Sequence, residues 1–311
     1  MVVPGPRVLL IFLDGIGLGS DDPANNPFAA ARTPTLDSLA GGQRWLRDVG
    51  RVVSDRAAFA PADPRMGIPG RPQSASGQAA ILTGRNVPAL IGEHYGPRPN
   101  PPIRAIIKED NLFKQVVAHG EPAALLEAYP PGFHSALSSG KRIPSSYQDA
   151  AIQAGLSLFG EDDVQNGNAL AVDWTGAAWR EHLGYIDSPV YTAEEAGRRM
   201  VEIARRYRFS FFSHWLTDQV GHRGTVADGV ALLELFDGVM AGALQEWDDN
   251  EGLIVITSDH GNLEDLSHGK HTENDVPLVV IGNGASDFAN GVTTLADIAS
   301  MVNTVLYGMR T

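Results

Sequence analysis

The chain contains no cysteine. Disulfides, thiolate zinc sites, iron–sulfur clusters and cysteine nucleophiles are excluded, and a reducing compartment suits such a sequence. Basic residues are scarce: 24 Lys and Arg stand against 37 Asp and Glu, a formal net charge of −13. A nucleic-acid partner held through its phosphates needs the opposite balance. Long hydrophobic runs are missing as well. The first apolar stretch, residues 8–13, is too short for a membrane span or a secretory signal, and it leads directly into Asp14. The expectation is a cytoplasmic protein with neither a membrane nor a nucleic-acid partner. No internal repeat or low-complexity tract is found.

What is present is ordinary in bulk. The 311 residues are 43% apolar, enough for one large domain or a core with a small insertion. Strand-like apolar runs alternate with helix-like periodic segments, which predicts an α/β fold with a mainly parallel central sheet. Strands are expected at 8–13, 123–128, 209–215, 253–256 and 278–281. Helices are expected from Thr33-Pro34 onward and at 74–83, 111–119, 192–207, 226–247 and 295–306. Between about 129 and 188 the pattern weakens, broken by Pro130, Pro131, Pro144, several glycines and Ser-rich stretches. This segment is a candidate cap insertion in a core made of 1–128 and 189–311; the alternative is a set of long surface connections.

Three strand ends carry the chemistry. The first strand ends in Asp14-Gly15. The strand at 209–215 runs into Asp218 and His222. The strand at 253–256 runs into Asp259-His260-Gly261-Asn262, with His271 a short loop later. In open α/β sheets ligands bind beyond the carboxyl ends of the strands, so these distant positions converge. Carboxylates mixed with imidazoles suit Mn²⁺ or Zn²⁺, and six or seven ligands suit two metal ions sharing a site. Such a pair clamps a phosphoryl group, and an oxygen nucleophile is then needed. Ser74 precedes a predicted helix, whose free N–H groups favour an anion. Ser76, in the same loop, is its rival.

These residues resemble the alkaline phosphatase superfamily, and within it the cofactor-independent phosphoglycerate mutase and phosphopentomutase branch. The resemblance rests on Leu13-Asp14-Gly15, on residues 74–84, on Asp218-Gln219-Val220-Gly221-His222, and on Ser258-Asp259-His260-Gly261-Asn262 with His271-Thr272 and Val276-Pro277. It covers both ends of the chain and leaves the middle third unmatched. It implies a three-layer α/β/α fold. One metal would take Asp218, His222 and His271, the other Asp14, Asp259 and His260, and Ser74 would bridge both as the nucleophile. Ser74 is chosen over Ser76 for its interval to Thr83-Gly84. The chain departs from the mutase pattern at Gln78, where histidine is usual, and the large mutase insertion is missing or much reduced. The sulfatase pattern is not met at Ser76 and Gln78.

The implied activity is two-metal phosphotransfer on a small phosphate ester through a phosphoserine, with hydrolysis favoured over mutase chemistry because the candidate cap is short. Phosphodiester or phosphonate hydrolysis, and a metal-binding scaffold without turnover, are the alternatives. Lys270, Arg85 and Arg71 are the leading substrate-binding candidates, with Arg98, Lys141 and Arg142 behind them. His94 and His134 are further candidates to reach substrate. Asn262 and Glu264 are candidates to orient metal ligands. His214 and His268 match no ligand position.

Overall fold

The computed structural model describes residues 5–308; the outermost residues of the expected core lie outside that range. Seven strands form one sheet: β1 (Arg7–Leu13), β2 (Val52–Val53), β3 (Ala57–Ala62), β4 (Ala123–Leu125), β5 (Phe209–His214), β6 (Gly252–Thr257) and β7 (Val276–Ile281), in the order β2-β3-β7-β6-β1-β5-β4. The principal helices are α1 (Ser74–Thr83), α2 (Pro101–Glu109), α3 (Leu112–Ala118), α4 (Pro131–Ser138), α5 (Ser146–Gln153), α6 (Ala193–Ala204), α7 (Leu216–Arg223), α8 (Val226–Glu246) and α9 (Ile298–Tyr307). None is long and apolar enough to cross a membrane.

Strand β1 is buried along its whole length, and its side chains alternate between two cores. Val8, Leu10 and Phe12 join one apolar cluster, with α1, α2, α3, α5 and α9. Leu9, Ile11 and Leu13 join the other, with α6 and α8. A strand buried on both faces reads as a continuous apolar run because helices cover both sides. The result is an α/β/α sandwich.

The sheet is mixed. Its β4-β5-β1-β6 half is parallel, as expected from the alternation of strands and helices. Strands β7, β3 and β2 are antiparallel to their neighbours. This serves the site. Strands β1, β5 and β6 deliver their carboxyl ends to one edge of the sheet. Strand β7 runs the other way, so its amino end, with His271 and Thr272 just before it, reaches the same edge. Strand β3 then reverses again and feeds the loop that leads to Ser74; its Ala62 pairs with Val276.

Residues 129–188 wrap the edge strand β4. Tyr129, Phe133, Tyr147, Ala150 and Ala151 join the core on the α1 face. Leu170 and Trp174 join the opposite core. Val164, Ala169, Ala171 and Trp179 form a small separate cluster with Ala128. Two single bridges, Glu127 to Leu170 and Ala128 to Phe159, extend the end of β4. Covering an edge strand in this way removes a template for unwanted pairing.

Candidate metal centre

Asp14 follows β1 directly, and its backbone N–H donates to the His214 carbonyl at the end of β5 (3.1 Å). Gly15 turns the chain with φ +73°, and a side-chain carbon there would lie 2.8 Å from Asp218 Oδ1. Only glycine allows the two strand ends to approach this closely. The turn is then tied to the β6 end: Ile16 N donates to Ser258 Oγ (2.9 Å) and Gly17 N to Glu264 Oε2 (3.0 Å). Glu264 is buried and also accepts from Asn262 N (2.8 Å), Asn274 Nδ2 (2.9 Å) and Thr272 Oγ1. One carboxylate thus joins the turn after β1 to both ends of the loop between β6 and β7.

The histidines are aimed from outside. His222 Nδ1 lies 2.9 Å from the Gly269 carbonyl, and His271 Nδ1 lies 2.9 Å from that of Pro72. A carbonyl only accepts, so each Nδ1 carries the proton and each Nε2 presents a lone pair. Those two Nε2 atoms face each other at 3.3 Å. His222 Nε2 is 3.3 Å from Asp218 Oδ2, and His271 Nε2 is 3.6 Å from Asp218 Oδ1. His260, fully buried, stacks on His271 with centroids 3.6 Å apart. Its Nε2 lies 3.0 Å from Ser74 Oγ, 3.4 Å from Asp14 Oδ1 and 3.6 Å from Asp259 Oδ1. Asn262 Nδ2 donates to Asp218 Oδ1 (2.8 Å).

Ser74 opens α1, and no side chain caps that helix. Ser76 is occupied elsewhere: its Oγ donates to the Gln73 carbonyl (3.2 Å) and accepts from Tyr95 N (3.0 Å). One turn on from Ser74, Gln78 Nε2 lies 3.1 Å from Asp259 Oδ2 and 3.4 Å from Asp14 Oδ2. The i, i+4 spacing puts Ser74 and Gln78 on one face of α1.

Metal ions fit this donor set. Ligand atoms of Asp218, His260 and His271 lie within 4.8 Å of one another, as do those of Asp14, Asp259 and His260. Facing lone pairs on His222 and His271 repel, and one imidazole nitrogen cannot satisfy three oxygens. Asp14 Oδ1 is buried without a hydrogen-bond partner among the described residues. Cations resolve all three conflicts. The electrostatics agree. Burial, then Asp259 and Asp218, raise the Asp14 carboxyl well above its usual range. Burial and Asp218 push Asp259 up to about 7. Burial, then His260, lowers His271 to about 4, and burial also lowers His260. Two acids, Asp14 and Asp259, that resist ionising, beside two imidazoles, His260 and His271, that stay neutral, form a site made for positive charge.

All seven expected ligand and nucleophile positions therefore meet: Asp14, Ser74, Asp218, His222, Asp259, His260 and His271. His260 falls in both compact groups rather than in one. The basic candidates do not all follow. Arg85 sits past the far end of α1, about 15 Å from its start for ten residues of helix, and pairs with Glu109 (2.6 Å). It is not part of the cluster. Arg71 lines a cleft of about 530 Å³ with Gln73 and Tyr95, beside the Ser74 turn. Lys270 is exposed next to His271, and its backbone N–H donates to His268 Nδ1 (3.3 Å). His94 and His134 point to the carbonyls of Ile68 and Phe159. A second cleft, of about 740 Å³ between α4 and α5, contains none of the cluster residues.

Residues 184–307 match the family described as the metalloenzyme superfamily. That segment, less than half of the chain, is similar to this superfamily. The match includes Asp218, His222, Asp259, His260 and His271, so five of the seven converging positions lie inside it. The curated 2,3-bisphosphoglycerate-independent phosphoglycerate mutase of Laribacter hongkongensis is 32% identical over 124 residues, which are 37% of this chain and 24% of that protein. The chain thus spans about a quarter of the curated relative it matches. The fold is shared over the full length with solved structures. A Pyrococcus horikoshii protein, PH0037, superposes with a TM-score of 0.59 at 16% identity, over 99% of both chains. The alkaline phosphatase of the Antarctic bacterium TAB5 gives 0.53 at 14% identity, over 97% of this chain and 99% of that one. The architecture is the alkaline phosphatase-like one.

Proposed function

We propose that the chain is a phosphotransfer enzyme for small phosphate esters, in which Ser74 receives the phosphoryl group. The observation that carries this reading is the placement of Ser74 Oγ, 3.0 Å from His260 Nε2 at the meeting point of the two acidic groups and at the start of a ten-residue helix. The N-terminus of a helix favours the phosphoryl oxygens, and Ser74 Oγ approaches phosphorus opposite the leaving oxygen. The Ser74 hydroxyl gives up its proton to solvent, the Oγ–P bond forms as the P–O ester bond breaks, and the departing alkoxide takes a proton from water and leaves as the alcohol.

Asp218, His222 and His271 would hold one divalent cation and Asp14, Asp259 and His260 the other, with Mn²⁺ or Zn²⁺ suiting oxygen and imidazole donors. Such ions supply charge neutralisation for the transferred group and a lowered hydroxyl pKa for the serine. In this reading residues 129–188 border the site as a cap on the core, tethered by Ser146 Oγ, which donates to the Ala75 carbonyl (2.7 Å).

Water then cleaves the phosphoserine, so phosphate is the product. A second reading, return of the phosphoryl group to another hydroxyl of the same molecule, is favoured by the name of the curated relative. Aryl phosphate assayed with Mn²⁺ or Zn²⁺ tests the first, and interconversion of phosphoglycerates tests the second. Wild type is expected to release phosphate and to carry radiolabel after an acid quench. Ser74→Ala is expected to lose both, by about a thousandfold or more in turnover. A Ser74→Ala protein that still hydrolyses the ester at the wild-type rate refutes the nucleophile.

A further inference from the structure

We propose that Trp215 is a stacking platform for the alcohol half of the substrate, and that the ester carries a planar ring close to its ester oxygen. The platform rests on the reading that the cluster around Ser74 binds a phosphate ester.

Helix α7 opens on Trp215, which occupies its N-cap position. Residues three, four and seven apart share one face of a helix, so Trp215, Asp218, Gln219 and His222 form one stripe. Two of its members fix its direction. His222 Nε2 lies 3.3 Å from Asp218 Oδ2, and both side chains turn toward His271 Nε2, at 3.3 Å and 3.6 Å. The stripe also opens to solvent: the His222 and Asp218 side chains are 37% and 20% exposed, so an ester reaches the cluster from this side. Trp215 stands one turn before Asp218, about 4.5 Å along the axis. Its neighbours bolt it in place. Asp14 N donates to the His214 carbonyl (3.1 Å), and Thr217 Oγ1 donates to the Asp14 carbonyl (2.6 Å). The backbone under the indole is thus fixed to the same carboxylate-bearing turn that faces Ser74.

The indole itself is unused. The chain has five tryptophans; Trp45, Trp174, Trp179 and Trp247 are buried, whereas Trp215 is 39% exposed. It belongs to none of the three apolar clusters, so the cores do not account for it. Among the described residues its ring stacks on no other ring and its N–H donates to no acceptor. A large aromatic face left in water beside a binding cluster is repaid when a ligand covers it. Planar rings gain most from such a face, because stacking adds to the area they bury. The short step from Asp218 to Trp215 leaves room for few atoms between phosphorus and that ring.

The test uses non-hydrolysable probes and calorimetry on the Mn²⁺-loaded protein. Methylphosphonate offers no ring, benzylphosphonate a planar ring, and cyclohexylmethylphosphonate a saturated ring of similar size. Wild type is expected to bind benzylphosphonate about tenfold or more tighter than methylphosphonate, and about threefold or more tighter than the saturated probe. Trp215→Leu is expected to erase the advantage of the planar ring over the saturated one while keeping the methylphosphonate Kd within about twofold. Trp215→Phe keeps a ring face, retains part of the advantage, and serves if the Leu variant does not fold. Fluorescence gives a second readout. The other four indoles are buried, so acrylamide quenches mainly Trp215. Benzylphosphonate is expected to shield it, and methylphosphonate is not. Equal affinity of wild type for the planar and saturated rings overturns the platform. So does a planar-ring advantage that survives Trp215→Leu, or quenching that benzylphosphonate leaves unchanged. If methylphosphonate itself fails to bind, the phosphate-ester reading falls and the platform with it; a wrong platform alone leaves methylphosphonate binding intact.

Discussion

Gln78 ties together two carboxylates that would otherwise repel. Its amide donates to the outer oxygens of Asp14 and Asp259, leaving Asp14 Oδ1 free to face a cation. That hydrogen bond also opposes the rise of the Asp259 carboxyl caused by burial. Partners of this kind commonly account for 10–100-fold in metal affinity. Gln78→Leu is therefore expected to weaken one of two Mn²⁺ sites by about 10- to 100-fold while leaving the other unchanged. Titration calorimetry reads both sites, and two sites of wild-type affinity would refute the role. From sequence, Gln78 registered only as a departure from a histidine. Its contact depends on Asp259, 181 positions away, which no local pattern encodes. Arg85, a candidate for substrate binding, is likewise placed by the fold: it lies the full length of α1 from Ser74.

Helices α6 and α8 lie together so closely that glycine is required between them. A side-chain carbon at Gly242 would fall 1.9 Å from the Glu194 carbonyl, and one at Gly197 would fall 1.9 Å from that of Val239. Gly242→Ala must push backbone against backbone, so a loss of about 3 kcal/mol is expected, at the upper end for overpacking. Urea unfolding measures it. Mn²⁺ affinity is expected to stay within about threefold, because neither helix carries a ligand. The elements were legible where burial is regular. Helix α1 spans 74–83 as expected, and α8 ends one residue early at Glu246. Strand β4 stops at Leu125, short of the expected 128, because the chain there leaves the sheet for single bridges with Leu170 and Phe159. Strands β2 and β3 escaped notice: one has two residues, and the other is Ala-rich with Pro61 inside it. Helix α2 was hidden by its opening prolines, which suit a first turn.

Across the whole molecule, the sheet gathers the site at one edge. A mainly parallel sheet was expected, and the parallel half does place Asp14, Asp218 and Asp259. The antiparallel half, which brings His271 and Ser74 to the same edge, left no trace in the alternation of elements. A pH dependence follows from the buried groups. Glu127, just past β4 and beside β5, accepts from Tyr129 Oη (2.7 Å) and Ser213 N (3.1 Å), and burial raises it from 4.5 to about 8. Asp259 is raised to about 7. His214 and His271 are lowered from 6.5 to about 4. Raised acids keep protons in the folded state that the unfolded chain has lost, so stability falls as pH rises through that window. Lowered histidines act oppositely, but only between about 4 and 6.5. From pH 6.5 to 8 the acids act alone. Metal-free protein in a chelator should therefore lose stability over that interval, by at most about 1.4 kcal/mol per pH unit for each group still protonated. Thermal melts at pH 6.5 and 8 read the fall, and Glu127→Gln is expected to shrink it. Adding Mn²⁺ at a hundredfold excess over its Kd should contribute about 2.7 kcal/mol per site. That gain should be larger at pH 8, where the ligands need not first release protons. A metal-free melt that rises from pH 6.5 to 8, or one that Glu127→Gln leaves unchanged, contradicts the assignment of the buried acids.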